Sequence, residues 1–114
     1  MELKELEKIK RYRTEADLTK IVEEINDKVI YKCYTSQQIS SLVNEIIKIN
    51  ILSVKYKTRE EILYLLCDVV AYYGLLDGVR WENIINIRDK LENDLKEYVA
   101  EIMESMSFGY NKRL

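Results

Sequence analysis

The sequence predicts an all-α fold, a compact bundle of about five helices forming a single helical domain over residues 1–114. Three observations carry this expectation. The chain has no proline and only three glycines, so the strongest helix breakers are nearly absent. Apolar residues make up 47% of it, which suffices for one modest core. Apolar positions also recur at helical spacing, and several such stretches come after a Thr-led capping sequence.

Leu3, Leu6 and Ile9 predict a short first helix that runs into the basic stretch Lys8-Ile9-Lys10-Arg11-Tyr12-Arg13. Thr14-Glu15-Ala16-Asp17 reads as a capping box with Asp in the fourth place. Leu18, Ile21, Val22, Ile25 and Val29 share one face, predicting a second helix over about 15–30. Thr35-Ser36-Gln37-Gln38 is a fuller box, and Ile39, Leu42, Val43, Ile46 and Ile47 mark the third helix. The same period allows that helix to continue through Ile49 and Leu52 to a polar break near Lys55-Tyr56-Lys57. Thr58-Arg59-Glu60-Glu61 is the third box, leading into Ile62, Leu65, Leu66, Val69, Val70 and Tyr73. Leu63, Ala71 and Tyr72 widen its apolar face, so this fourth helix is expected at the centre of the bundle. Gly74 and Asp77-Gly78 mark its end. Trp81, Ile84, Ile85, Leu91, Leu95, Val99, Ile102, Met103 and Met106 predict one long last helix, ended by Ser107-Phe108-Gly109-Tyr110-Asn111. The alternating stretch Val29-Ile30-Tyr31-Lys32-Cys33-Tyr34 has no partner strand and reads as a helix end and loop.

Composition removes several function classes. Without histidine, neither a Ser-His-Asp nor a Cys-His nucleophile can be assembled, and no His-ligated zinc or haem site. Cys33 and Cys67 stand 34 residues apart without a Cys-x-x-Cys pair. They are expected to be small buried apolar residues, neither a disulfide nor a metal site. No apolar run is long enough to cross a membrane, and the mixed-charge start Met1-Glu2-Leu3-Lys4-Glu5 does not resemble a secretory leader. The expectation is a cytoplasmic protein that is not an enzyme and needs no metal and no cofactor.

Charge is divided along the chain. Residues 1–59 carry 12 Lys and Arg against 9 Asp and Glu, and residues 60–114 carry 6 against 11. This division permits a local basic surface on an acidic protein. Two runs interleave cations with tyrosine: Lys8, Lys10, Arg11 and Arg13 around Tyr12, and Lys55, Lys57 and Arg59 around Tyr56. Cations hold phosphates and aromatic rings stack on bases, so these residues are candidate RNA contacts, and the competing reading is an ordinary solvated surface. The acids Glu23, Glu24 and Asp27 share a helical face, but no second, suitably spaced acid pair lies on the adjoining helices to complete a magnesium site. Among the nine tyrosines, Tyr56, Tyr64, Tyr72, Tyr73, Tyr98 and Tyr110 can line an interface, and for most of them the core is the expected place.

Tyr34-Thr35-Ser36-Gln37-Gln38-Ile39-Ser40-Ser41-Leu42-Val43-Asn44-Glu45-Ile46 resembles the Thr-Ser-x-(Ile/Leu)-Arg helix start of the small α-helical subunit of type III-A CRISPR–Cas (Csm) effector complexes. The apolar stretch 63–78 and the segment 97–110, with Met103-Glu104-Ser105-Met106-Ser107-Phe108, resemble two further helices of that family in the same order. Arg and other basic positions of the family fall here on Ser40, Leu66, Asp68 and Leu75, leaving Lys55, Lys57, Arg59 and Arg80 as nearby cations. The resemblance implies a non-catalytic subunit of a ribonucleoprotein complex, stacked with copies of itself beside the backbone subunits and touching guide and target RNA through phosphates alone. A second resemblance competes. Leu76-Asp77-Gly78-Val79-Arg80-Trp81-Glu82-Asn83-Ile84-Ile85 is similar to the Asp-Gly-Val-x-Trp-Gly-Arg-Ile-Val signature of Bcl-2 proteins, with Glu82-Asn83 in place of Gly-Arg. It implies a regulator that buries a partner's amphipathic helix in a groove.

Overall fold

The computed structural model describes residues 3–112, and side chains through residue 106. Met1, Glu2, Arg113 and Leu114 lie outside the described residues, as does the side chain of Tyr110. The elements in order are α1 (Lys4–Arg11), α2 (Glu15–Ile30), α3 (Ser36–Ile47), α4 (Tyr56–Tyr73), α5 (Glu82–Ile85), a 3-10 turn over Arg88–Lys90, and α6 (Asn93–Lys112). There is no strand among the described residues. The fold is an all-α bundle, as the periodicity predicts.

Where local signals act alone, sequence and structure agree. Thr14 Oγ1 accepts the Asp17 N–H at 3.1 Å and starts α2. Thr35 and Gln38 form a reciprocal capping box at α3. The end of α2 is a Schellman turn: the Cys33 N–H reaches Lys28 O and the Lys32 N–H reaches Val29 O. Lys32 takes the left-handed position at φ 53, where glycine is the usual residue.

Side-chain bridges fix the directions of the helices. Lys8 to Glu24 (3.2 Å) and Lys28 to Glu5 (2.5 Å) make α1 antiparallel to α2. Thr19 meets Thr58 at 3.4 Å and Asn26 meets Asp68, so α2 and α4 run parallel. Tyr56 bonds Asp94 and the Cys67 thiol donates to Tyr98 O, so α4 and α6 run parallel as well. α4 packs most extensively against α2 and then α6, which makes it the centre of the bundle. Leu18, Ile25, Leu42, Ile46, Ile62, Leu65, Leu66 and Leu95 form the innermost core, each fully buried. Burying such a side chain contributes about 2 kcal/mol relative to leaving it exposed.

Four expectations are corrected. The third helix stops at Ile47, because Asn50 turns the chain: its Oδ1 accepts the Leu52 N–H, and the Ser53 hydroxyl donates to its carbonyl. Thr58 does not cap α4. That helix starts at Tyr56, and Thr58 is buried in its first turn. The long last helix is broken into α5, the 3-10 turn and α6. An unbroken helix would place Arg88 in the middle of the stripe formed by Trp81, Ile84, Leu91 and Leu95. The break lets those four enter the core while Arg88 stays at its edge. Finally, Gly109 does not end α6, which continues to Lys112.

Candidate nucleic-acid interface

The first basic run occupies the end of α1 and the turn into α2. Lys8, Lys10, Arg11 and Arg13 are all exposed, and Tyr12 is half-buried against the core. The antiparallel course of α1 and α2 opens a surface cleft of about 540 Å³ here, whose walls include Lys8, Arg11, Tyr12, Arg13 and Lys20, with Ile21 buried at its floor. Lys8 pairs with Glu24, and Arg11 with Glu7 at 3.2 Å. Arg13 and Lys20 have no ion-pair partner among the described residues. The cleft therefore keeps two uncompensated cations, faced by Asp17 as the remaining acid. Lys20 escaped the sequence reading. It lies seven residues beyond Arg13, and only the α1–α2 hairpin brings it to the same cleft.

The second run is built differently. The Arg59 side chain is only 11% exposed. Its Nε donates to Ile51 O at 2.8 Å, and its Nη2 to Leu52 O at 3.2 Å and Val54 O at 2.7 Å. Its Nη1 meets Glu92 at 2.6 Å. The guanidinium fastens the 48–55 loop to the start of α6, and too little of its fork remains for a bidentate phosphate contact. Lys57 is 73% exposed, yet it sits between Glu60 and Glu61 at 3.6 and 3.4 Å. Hydrogen bonding to Glu61 raises its pKa. The Tyr56 hydroxyl donates to Asp94, which pushes the phenol up to about 12. Lys55 is exposed, and its backbone N–H donates to Glu15 Oε1 at 3.0 Å. Arg80 is exposed on the loop after α4, where Asn44 accepts the Arg80 N–H at 3.2 Å and donates to Gly78 O at 2.9 Å. Of the expected second group, only Lys55 adjoins the first, through Glu15, two residues from Arg13.

Glu15 is the hinge between the two runs. Its carboxylate accepts from the Lys55 N–H and from the Thr58 hydroxyl at 2.8 Å. It thus satisfies the N–H of the N-cap residue of α4 from a neighbouring helix, and α4 has no side-chain cap of its own. The Lys55 N–H, then the Thr58 hydroxyl, hold the Glu15 carboxyl below the usual range.

The remaining candidates disperse. Glu24 is committed to Lys8, and among the described residues no three Cys, Asp or Glu side chains converge to hold a metal. Cys67 is half-buried, and burial pushes its thiol up to about 12. Cys33, expected inside, is exposed because it comes after the left-handed Lys32 in the turn. Tyr56, Tyr64 and Tyr72 are exposed, while Tyr73 and Tyr98 are half-buried. The Tyr73 hydroxyl holds the 31–35 loop, donating to Tyr34 O and accepting the Tyr34 N–H. No helix is long and apolar enough to cross a membrane among the described residues. No protein-family model, curated protein or solved structure matches this chain.

Proposed function

We propose that the chain is a non-catalytic, cytoplasmic helical subunit of an RNA-guided assembly of the type III-A CRISPR kind, touching RNA phosphates with the end of α1 and the start of α2. The observation that supports this reading is the gathering of Lys8, Arg11, Arg13 and Lys20 around one cleft, with Arg13 and Lys20 outside any ion pair among the described residues and Asp17 the one acid left to face them. Unpaired cations at a concave surface attract a polyanion without reading its sequence. Glu97, Glu101 and Glu104 stand exposed on α6 and repel RNA from that side. Tyr64, Tyr72, Met103 and Met106 are exposed on α4 and α6, and they suit contact with neighbouring protein subunits. The test is co-purification of the tagged protein from its host. Bound RNA and large protein partners, with the RNA released by salt, are expected. A lone monomer free of RNA would overturn the reading.

A Bcl-2-like role has one observation in its favour. A groove of about 350 Å³ adjoins the segment 76–85, lined by Ile47, Ile49, Ile51, Ile84 and Ile87 together with Lys48, Asn50, Asn83 and Asn86. An amphipathic helix needs such an apolar floor. Micromolar binding of an amphipathic helical peptide, abolished by Ile87→Glu, would favour this second reading. No binding at 100-fold higher peptide concentration would remove it.

A further inference from the structure

We infer that the α1–α2 cleft is a seat for one unpaired nucleotide, its base held against Tyr12 and its phosphate by Arg13 and Lys20. The inference rests on the RNA reading above and deepens it. Phosphate attraction alone requires only exposed cations, and a flat or convex basic face serves a duplex as well as a single strand. This site is concave. Its volume of about 540 Å³ is on the scale of a single nucleoside phosphate. Its walls combine three kinds of group that a nucleotide needs together. Tyr12 supplies an aromatic surface, and it is half-buried against the core, so its ring is held in place. Ile21 gives a buried apolar floor. Arg13 and Lys20 offer positive charge that no acid neutralises through an ion pair.

The neighbouring pairs sharpen the assignment. Lys8 pairs with Glu24 across the cleft and Arg11 with Glu7 along α1, so the remaining charge is that of Arg13 and Lys20 against the single acid Asp17, on the α2 side and the turn before it. One phosphate matches two cations; a continuous backbone track needs more. A base buried against Tyr12 must leave its stack, which an unpaired strand permits at little cost and a duplex resists.

The test is a titration of the full chain with a fluorescently labelled ten-nucleotide RNA, single-stranded or annealed to its complement, at low salt. Adenosine monophosphate serves as a competitor. Single-stranded RNA is expected to bind at least tenfold more tightly than the duplex, with the mononucleotide competing at high concentration. Tyr12→Ala should weaken single-strand binding by about tenfold through lost stacking and leave duplex binding unchanged. Tyr12→Leu keeps the apolar volume against the core and should show the same loss, and Tyr12→Phe should bind like the parent. Thermal melts of each variant separate this effect from unfolding. Equal affinity for both forms, or equal losses in both on Tyr12→Leu, would overturn the seat while leaving phosphate contact intact. Absence of binding to either form would overturn the RNA reading and the seat together.

Discussion

Two short basic runs, residues 8–13 and 55–59, have almost the same composition and opposite employment. Each interleaves three or four cations with one tyrosine. In the first, Lys8, Arg11 and Arg13 line a two-helix cleft, Lys8 and Arg11 paired with Glu24 and Glu7 and Arg13 without an ion-pair partner among the described residues, and its tyrosine packs against the core. In the second, Arg59 turns inward to satisfy carbonyls at Ile51, Leu52 and Val54, Lys57 is engaged by glutamates, and Tyr56 bonds Asp94. The difference arises in the loops beside the two runs. The loop 48–55 leaves backbone carbonyls without helical partners, and a planar five-donor guanidinium is the side chain that can collect several at once. Among the described residues, neither Arg11 nor Arg13 donates to a backbone carbonyl. Basic composition is therefore a poor guide to a phosphate site until it is known which cations the protein itself consumes.

The largest effect that would break the comparison is expected at Arg59. Arg59→Ala strands three carbonyls and Glu92, and should cost about 3 kcal/mol in urea unfolding. Arg59→Lys should recover only part, because an ammonium cannot span the same acceptors. A near-neutral Arg59→Ala would mean that its bonds contribute little and that the guanidinium is available to RNA. Next comes the pair Arg13→Ala and Lys20→Ala. Removing both should lower the slope of log affinity against log salt by about 0.7 for single-stranded RNA, the loss of one phosphate contact, with stability changed by less than about 0.5 kcal/mol. An unchanged slope would place RNA elsewhere.

A smaller effect is expected at Glu15, where the two runs meet. Its folded pKa lies below the ordinary 4.5, so its contribution to stability is present above pH 4.5 and is lost as pH falls through the depressed value. Glu15→Gln should lower the melting temperature at pH 7, and the gap from the parent should close as the solution is acidified below 4.5. A gap that is constant with pH would show that the cap does not depend on charge. The smallest effect is expected at Lys57. Its exposed pairs with Glu60 and Glu61 predict that Lys57→Ala leaves the melting temperature unchanged within error, and that salt-dependent RNA binding does not move either. A loss of RNA affinity there would restore the second run as a contact.

The features legible in the sequence are local. The limits of α2 and the start of α3 come from Thr14, Thr35 and the 3.6-residue apolar period, because a cap and a helical stripe involve residues within one or two turns of each other. The all-α class and the central place of α4 come from the same patterns. Tertiary structure decided whatever depends on distant partners. Thr58 reads as a cap, yet α4 starts two residues earlier, and the Thr58 hydroxyl and the Lys55 N–H are both taken by Glu15, 40 residues from Lys55. The apolar period continues through Arg88, yet the helix breaks around it, and Arg88 lies half-buried at the edge of the core. Lys20 joins the cleft only through the antiparallel α1–α2 pair. Arg59 leaves the candidate interface because carbonyls of a preceding loop and a carboxylate 33 residues later converge on it. Periodicity tells which face of a helix is apolar. Which cations remain for a ligand is settled only when every buried acceptor has found its donor.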